Sequence, residues 1–445
     1  MPPPNIASSF AALLAAFAPC FTEPSFQTFC HIAAGWVMCV TRRTVTGVIL
    51  AADAVGLKHH TSFHRFFRAA RWSTDDVGRA ALQLVLKLVP PFAEVVVAVD
   101  DTLSRHTGKH ISSAGMHRDP LLSTATKVAY HFGHVWVVLA VVVRIPEWDK
   151  NFALPVLLRL YRSKKTCKKL GIKHRKKTDL AAELIGLLHQ AIPGRRFVVV
   201  GDNGYANREV LCRLPSKVTF VGRGVIDAAI YEPPPPRHKG QRGRPRVKGE
   251  RVPSPAQRAA DPRAKWSSVE VSVYGRQATV QILVFDALWH KAGKGCTLRF
   301  VVVRGWPGHD KDDVLICTDT RRNPEWIIET YCLRWPLEVS FFWAKGKLGL
   351  EDPQNRTERA VQRTAPMSLW LYSLVVVWYV RVGQRTRSAR LPKLPWYVSK
   401  RTPAFSDMLA TLRRETWSAR VLDRADATRS TQKNVESLIR AVGYG

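Results

Sequence analysis

Apolar residues over the first 90 positions recur at helical spacing, most clearly in Phe10–Phe17 and Val45–Val55. This spacing predicts amphipathic helices, because every third or fourth side chain falls on one buried face. Gly56 ends the second run, and a segment that mixes His and Arg with Phe follows it as far as Trp72. Residues 1–90 are therefore predicted to be helical. The basic segment fits either the second helix of a helix–turn–helix or the solvated face of a plain helical bundle.

Two short runs of β-branched residues are each followed directly by aspartate. Glu94–Val99 leads into Asp100-Asp101-Thr102, and Phe197–Gly201 leads into Asp202. Continuous apolar runs of this length are typical of strands that are covered on both faces. We therefore predict two buried strands, each with a carboxylate at its end.

A hairpin is predicted between these two strands. Its strands would be Val128–Phe132 and Val135–Val143, with the turn at Gly133. A polar loop is predicted before it, over Leu103–Pro120. The loop holds His106 and a second His four residues later. That spacing fits a metal only within a helix, so phosphate contact or solvation is the simpler interpretation.

The second half of the chain predicts a β-rich insertion followed by helices. In chain order, the predicted segments are strands at Ser267–Val273, Gln277–Phe285, Thr297–Val303 and Val314–Thr318, a helix from Pro324, a helix at Met367–Val380, and amphipathic segments at Phe405–Thr416 and Thr431–Val442. The helix at Met367–Val380 is strongly apolar but shorter than the roughly 20 residues that span a bilayer. We therefore predict that it is buried in the protein and that no membrane is involved.

The charge balance indicates the kind of partner. Lys and Arg total 68 against 35 Asp and Glu, a formal net charge of +33 with a pI near 10.3. A protein this basic usually binds a polyanion, and nucleic acid is the first candidate. The eight Cys form no Cys-x-x-Cys pair, so neither a zinc ribbon nor a disulfide framework is predicted. We expect a reducing compartment and a cytoplasmic, nucleoid-associated protein.

Two segments concentrate the positive charge. Arg162–Lys177 holds nine Lys or Arg and no acid. Its clustered lysines are Lys164, Lys165, Lys168 and Lys169. Clusters this dense contact phosphates without reading sequence. Arg237–Arg251 is rich in Gly and Arg, and its Arg242-Gly243-Arg244-Pro245-Arg246 resembles an AT-hook core, which lies in a narrow minor groove. A plain phosphate-binding loop is the alternative for this segment.

One short stretch combines a carboxylate with cations and a phenol at fixed spacing. It contains Tyr331, Arg334, Glu338 and Lys345. At about 100° per residue, these positions fall on one face of a helix. Pro336 cannot donate a hydrogen bond inside a helix, so the helix is predicted to kink or restart there, with Pro336 in its first turn. The alternative is an amphipathic helix with a solvated charged side.

Three carboxylates therefore stand at special points of the predicted elements: Asp100 (or Asp101), Asp202 and Glu338. Each alone has a simpler explanation, since Asp often caps the turn after a strand. Together they provide the oxygen ligands that Mg²⁺ prefers. Two such ions can activate a nucleophile and stabilise the leaving oxygen of a phosphodiester. The set predicts metal-dependent cutting or joining of nucleic acid.

The spacing Tyr331-x2-Arg334-x3-Glu338-x6-Lys345 resembles the tyrosine–arginine–glutamate–lysine signature of one branch of bacterial insertion-sequence transposases. These are DDE enzymes with an RNase-H-like core. Asp100-Asp101-Thr102 looks like their first-aspartate region and Asp202 like their second, and the resemblance runs from about residue 60 to 415. It implies an α/β fold, an RNase-H-like mixed sheet flanked by helices, with a helical N-terminal region and an inserted β subdomain.

The resemblance also implies a ligand set for the metal. Asp100, Asp202 and Glu338 would hold two Mg²⁺ ions, for which Mn²⁺ can substitute. Asp101 is the rival for the first position, because the family places an acid shortly before Thr. We favour Asp100, the Asp-x-Thr interpretation.

Contacts with DNA are implied for the residues around the glutamate. Tyr331 and Arg334 would bind the phosphate at the transposon end, and Lys345 would bind the nearby backbone. Trp335 is a candidate to stack on a flipped base, although core packing is the more usual role of such a residue.

The implied activity is that of a DNA transposase, which hydrolyses phosphodiesters at element ends and then transfers the freed 3′-OH to target DNA. It would act on double-stranded DNA, both terminal repeats and target, as a homodimer or higher assembly. The alternatives are a non-catalytic domesticated DNA-binding protein and an RNase-H-like nuclease that cuts without joining. The predicted domains are a helical DNA-binding region (1–90), the first part of the catalytic core (91–230), a basic linker with the β insertion (231–305), the second part of the core (306–382) and a basic helical tail (383–445).

Overall fold

The computed structural model describes residues 6–108, 110–124, 126–236, 242–293, 295–308, 310–391, 400–421 and 438–439. Its helices are α1 Ser8–Leu14, α2 Glu23–Met38, α3 Val45–Ala51, α4 His60–Arg68, α5 Thr74–Leu86, α6 Lys164–Leu170, α7 Lys177–Ala191, α8 Arg208–Leu211, α9 Pro255–Ala260, α10 Pro324–Cys332, α11 Trp335–Leu348, α12 Glu358–Arg381 and α13 Phe405–Val421. Its strands are β1 Val95–Arg105, β2 Gly115–Arg118, β3 Tyr130–Ile145, β4 Lys150–Tyr161, β5 Phe197–Gly201, β6 Val218–Arg223, β7 Ile230–Tyr231, β8 Arg251–Val252, β9 Ser267–Val273, β10 Arg276–Leu288, β11 Thr297–Arg304 and β12 Asp313–Cys317.

The strands form one mixed sheet in the order β2-β3-β1-β5-β6-β12-β11-β10-β7-β8, with β4 paired to β3 and β9 paired to β10. In its centre, β4, β3 and β1 are antiparallel, while β1, β5 and β6 run parallel. Helices flank this sheet. The arrangement is compatible with an RNase-H-like core, and it confirms the predicted fold class.

The hairpin predicted around Gly133 is wrong. Residues 130–145 form one continuous strand, β3, whose antiparallel hairpin partner is the unpredicted β4. Gly133 does not turn the chain. A Cβ at this position would lie 2.0 Å from the carbonyl oxygen of Ser104 on β1, so the glycine allows two strands to approach closely.

The strand that carries the first aspartates is longer than predicted. β1 continues through Asp100 to Arg105, because Thr102, Leu103 and Ser104 are buried and pair with β3. Asp100 therefore lies within a strand and not at its end. The loop predicted over residues 103–120 instead contains the end of β1 and the short edge strand β2.

The N-terminal region is helical, as predicted. In α4, Phe63, Phe66 and Phe67 are buried, whereas its His and Arg residues point away from the core. Arg363 of α12 donates hydrogen bonds to the carbonyl oxygens of Phe67 and Ala70 just beyond α4, at 3.3 and 2.8 Å. These helices share one hydrophobic core with α12 and the sheet. Contact of this region with DNA stays a prediction.

The strands predicted for the β insertion are present as β9, β10 and β11. They do not form a separate sheet, because β11 pairs with β12 and β12 pairs with β6. The insertion thus extends the central sheet by main-chain hydrogen bonds. The main-chain N–H of Ser272 also donates to Glu329 of α10 at 3.0 Å, which ties the insertion to the helices that follow. The predicted domain boundaries themselves stay predictions.

The apolar segment at Met367–Val380 is part of α12, which is almost fully buried. Ser373 and Trp370 of this helix donate hydrogen bonds to the carbonyl oxygens of Pro155 and Val156, where β4 has a bulge. Among the described residues, no helix has both the length and the hydrophobicity needed to cross a bilayer. The predicted segment at 405–416 lies in α13, whereas the one at 431–442 falls outside the described residues except for 438–439.

The close approach at Gly133 predicts an effect on stability. Gly133→Ala should lower the free energy of unfolding by about 1–3 kcal/mol, because β1 and β3 must separate to admit the methyl group. The matched control is Gly186→Ala in α7, where an added Cβ meets no atom within 4 Å. That change should stabilise the helix by about 0.5–1 kcal/mol. Urea denaturation of both variants checks the prediction, and equal effects would contradict it.

Candidate active site

The register of two parallel strands brings the first two acids together. Val99 of β1 is paired with Gly201 of β5, so Asp100 and Asp202 follow at the same level of the sheet. Oδ1 of Asp202 accepts hydrogen bonds from the main-chain N–H groups of Gly204 and Tyr205, at 2.9 and 3.3 Å. These bonds fix its carboxylate in the turn after β5.

The carboxylate of Asp100 is largely buried, with 15% of its side chain exposed. Its pKa is raised from 3.8 to about 7, chiefly by burial and to a smaller extent by Asp202 and Asp101, while Arg334 opposes the shift. Burial also raises the pKa of Asp202. Two adjacent buried carboxylates resist being charged together, and a nearby cation relieves this conflict.

Arg334 supplies that cation. Its Nη1 lies 2.5 Å from Oδ2 of Asp100, and its Nη2 lies 2.7 Å from Oε1 of Glu338. Burial disfavours the charge on Arg334, but Asp100 and Glu338 together raise its pKa above the ordinary value. One guanidinium therefore links the strand acid to the helix acid.

A break between helices α10 and α11 positions Arg334 and Glu338. α10 ends at Cys332, and α11 begins at Trp335 with Pro336 in its first turn, which confirms the predicted restart. Arg334 occupies the join between the two helices. Glu338 lies one turn further on, in a position that suits an acid near the positive end of the helix dipole.

Tyr331 lies in the last turn of α10, on the other side of this break. Its ring is buried against Trp306, with ring centroids 6.1 Å apart. Burial raises the pKa of the phenol, while the nearby Arg334 and Arg223 lower it. Tyr331 is thus beside Arg334, but the two residues do not share one continuous helix.

Lys345 is on the same helix as Glu338, two turns further on. Its Nζ is 3.9 Å from Oε1 of Glu351, which also accepts the main-chain N–H of Arg105 at 2.9 Å. Burial lowers the pKa of Lys345. The lysine therefore lies beside the end of β1.

Asp101 points to different partners from Asp100. Its Oδ2 is 2.6 Å from Nζ of Lys177, and its Oδ1 accepts a hydrogen bond from the hydroxyl of Tyr205 at 3.0 Å. The geometry favours Asp100 as the acid that faces Arg334 and Glu338. The contacts of Lys177 and Tyr205 with Asp101 could not be predicted from the sequence, although Lys177 ends the basic run and Tyr205 follows the Asp-Asn-Gly turn.

Trp335 is 50% exposed, so the core packing that was the alternative for this residue is wrong. Its ring meets that of Tyr274, at the turn between β9 and β10, with centroids 5.9 Å apart. An exposed indole next to the acids remains available for stacking.

The predicted DNA-binding cations of the two basic segments lie at the surface. The exposed ones are Lys164, Lys165, Lys168, Lys169, Arg242 and Arg244. The four lysines are on the short helix α6, which is anchored by the buried Cys167. The basic linker is described only from residue 242 onward.

The candidate site offers carboxylate oxygens as donors for a divalent cation. Asp100 and Asp202 are adjacent oxygen donors, and burial raises the pKa of both, so a divalent cation such as Mg²⁺ or Mn²⁺ would favour their charged forms. Within the described parts of the chain, no group of three or more His, Cys, Asp or Glu is assembled closely enough to share one ion. The carboxylate of Glu338 is paired with Arg334. Asp100 and Asp202 are therefore suitable donors for a divalent cation, and Glu338 as a third donor stays a prediction.

Comparison with known protein families assigns the chain to a superfamily. The family described as DDE superfamily endonuclease matches residues 16–291, and the chain belongs to that family. The matched region includes Asp100 and Asp202 and ends before Glu338, so the signature around Glu338 stays a prediction. No curated protein matches the chain. Membership implies nuclease-type chemistry on DNA, which enzymes of this superfamily generally carry out with divalent metal ions.

The raised pKa of Asp100 predicts a pH-dependent stability in the absence of metal. Asp100 binds a proton in the folded chain up to about pH 7 but in the unfolded chain only up to about pH 4. The wild-type chain therefore loses stability from this group as the pH rises from 4 to 7. Asp100→Asn lacks this loss, so its stability relative to wild type should improve over that range by a few kcal/mol, on the order of 2–4. Denaturation in EDTA measures the difference, and a constant difference would contradict the assignment.

Proposed function

We propose that the chain is a DNA transposase, which hydrolyses phosphodiesters at the ends of a DNA element and transfers the freed 3′-OH into target DNA. The observation that carries the proposal is the convergence of Asp100 and Glu338 on Arg334, with Asp202 beside Asp100. The family assignment supports the nuclease step. The transfer step rests on the resemblance of the residues around Glu338.

Asp100, Asp202 and Glu338 would hold two Mg²⁺ ions, for which Mn²⁺ can substitute. When bound, such ions activate the attacking water or hydroxyl and stabilise the leaving oxygen. Asp202 is already oriented by two main-chain N–H groups, so it needs no rearrangement to serve as a ligand. Asp101 is neutralised by Lys177 and stays outside this set.

Arg334 has two roles in this proposal. Before DNA and metal are bound, it neutralises Asp100 and Glu338 and keeps the site assembled. Once those carboxylates are occupied, its guanidinium is free to contact a DNA phosphate, together with the phenol of Tyr331. Arginine suits this exchange because its planar donors match carboxylate and phosphate equally well.

The remaining contacts follow from position and charge. Trp335 would stack on a flipped base, and Lys345 would contact the nearby backbone. The lysines of α6 would hold phosphates, while Arg242 and Arg244 would lie either in a minor groove or on phosphates. The proposal includes a homodimer or higher assembly on DNA, nucleoid association, and the domain layout predicted from the sequence.

Two other functions are compatible with the family. One is a nuclease that cuts without joining, and the other is a non-catalytic DNA-binding protein built on the same fold. The intact acid set speaks against the second, because a binding protein gains nothing from two buried carboxylates with raised pKa values. A single assay separates the three: the chain, its element ends, Mg²⁺ and a target plasmid yield joined product, cut product alone, or a shifted band alone.

Replacing Glu338 should separate chemistry from binding. Glu338→Gln removes a ligand charge but keeps the shape of the side chain, so cleavage should be abolished while DNA binding persists. The matched control is Glu325→Gln, an acid in the first turn of α10. Gel-shift and cleavage assays on the same DNA check this. Mg²⁺-dependent nicking by Glu338→Gln at the wild-type rate would refute the assignment of Glu338.

The lysines of α6 make a quantitative prediction about salt. If each contacts a phosphate, changing Lys164, Lys165, Lys168 and Lys169 to Ala should reduce the slope of log K against log salt by about 0.9 for each lysine. Lys87→Ala, at the end of α5 near the start of β1, should leave the slope almost unchanged. Fluorescence anisotropy across a salt series measures both. An unchanged slope for the quadruple variant would remove α6 from the interface.

A further inference from the structure

A hairpin extends beyond the C-terminal end of β1, the strand that carries Asp100. Gly133 of β3 pairs with Arg105, the last residue of β1, and with Gly115 of β2. The segment from Gly115 to His131 therefore continues beyond the end of β1. We call these residues the overhanging hairpin; the structure describes all of them except residue 125. Nothing in the proposed mechanism uses this segment.

The distance from the acids to the tip can be read from the register. Five positions separate Asp100 from Arg105, and three more separate Gly133 from Tyr130. At about 3.3 Å per residue in a strand, Tyr130, where the tip begins, lies roughly 26 Å from Asp100, which corresponds to about 8 base pairs of duplex. The overhanging hairpin is thus placed to meet DNA that also reaches the acids.

The tip exposes large apolar side chains. Leu121 is 76% exposed and Leu122 is 51% exposed. Met116, Val128 and Tyr130 on the same hairpin are each at least half exposed. Exposed apolar side chains concentrated in one short segment of a soluble protein indicate a candidate binding surface.

The backbone of the tip is held in place by a buried acid. Asp119 accepts hydrogen bonds from Nε of Arg105 at 2.8 Å and from the main-chain N–H of Leu121 at 3.0 Å. Nδ1 of His131 lies 3.0 Å from the same carboxylate. The hydroxyl of Ser123 donates to the carbonyl oxygen of Asp119 at 2.6 Å. The leucines are therefore presented by an ordered turn, which lowers the entropy lost on binding.

The charge around the tip favours a polyanion. Asp119 is the only acid among residues 115–131, and it is buried against Arg105, whereas Arg118 and Lys127 are exposed. The base of the hairpin reaches the basic segment, since a Cβ at Gly115 would lie 2.9 Å from Oγ1 of Thr166. The local positive charge therefore favours nucleic acid over a second copy of this chain as the partner of this surface.

We propose that the overhanging hairpin is a wedge that unstacks duplex DNA. Leu121 and Leu122 enter the duplex at one base step, and Arg118 and Lys127 contact the phosphates on either side. Apolar side chains that insert in this way partly unstack a step and bend the duplex. This proposal rests on the proposed function only in that the chain binds duplex DNA.

The test measures unstacking directly and does not require cleavage. The probe is a duplex enriched from random DNA for binding to the full-length chain, and EDTA is present throughout. Permanganate, which oxidises unstacked thymines, should react at one step in the complex with the wild-type chain. Leu121→Ser with Leu122→Ser should lose this reactivity, whereas Leu121→Met with Leu122→Met should keep it. Phe92→Ser, which changes a fully exposed Phe just before β1, is the surface control and should also keep it.

A mismatch placed at the reactive step sharpens the result. Because unstacking costs a few kcal/mol, the wild-type chain should bind the mismatched duplex about ten-fold more tightly than the intact one. The double Ser variant should show no such preference. In Mg²⁺, the reactive step should lie about 8 base pairs from the phosphodiester that the wild-type chain cuts.

Two outcomes would overturn the wedge. One is permanganate reactivity and mismatch preference that are identical in the wild-type chain and the double Ser variant. The other is a double Ser variant that no longer self-associates in sedimentation but leaves the permanganate reactivity of the DNA unchanged. That result would make the tip an interface between protein chains. Failure of the proposed function gives a different result. If the chain unstacks DNA in EDTA but neither cuts nor joins it in Mg²⁺, the wedge is supported and the transposase assignment is wrong.

Discussion

The candidate site depends on the two ion pairs that the guanidinium of Arg334 makes with Asp100 and Glu338. Asp100, Asp202 and Glu338 come from two strands and a helix, and a partly buried site cannot hold three carboxylates without a compensating cation. Arg334 contacts two of them directly and lowers the pKa of the third. The acids are therefore kept together before any metal arrives. Because Arg334 occupies oxygen atoms of both Asp100 and Glu338, we propose that a metal can reach them only after Arg334 moves.

The fold fixes the position of every member of this set. The parallel pairing of β1 and β5 makes Asp100 and Asp202 neighbours, and the restart at Pro336 places Arg334 at the join of α10 and α11. The β insertion supports α10 through the hydrogen bond from Ser272 to Glu329. Because the insertion strands continue the central sheet, the helices that position Arg334 and Glu338 pack on the same sheet that carries Asp100 and Asp202.

Much of this architecture could be predicted from sequence, because β5, β12 and the insertion strands are apolar runs between clear turn signals. The failures have physical causes. Gly133 was interpreted as a turn, whereas it serves a close approach of two strands, and β4 was missed because Pro155 weakens its strand pattern. The acids could be found one at a time from strand ends and spacing. The pairing of Arg334 with Asp100 could not, since it joins residues 234 positions apart and depends on the assembled sheet.

The exchange of Arg334 for a metal ion is the central claim, and a crystal structure of the chain grown with Mn²⁺ tests it most directly. The account predicts an anomalous peak within coordination distance of Asp100 and Asp202, with Glu338 turned toward it and Arg334 no longer in contact with Asp100. A peak bound at Asp101 would contradict the account. So would full occupancy at Asp100 and Asp202 with the Arg334 contacts to Asp100 and Glu338 unchanged.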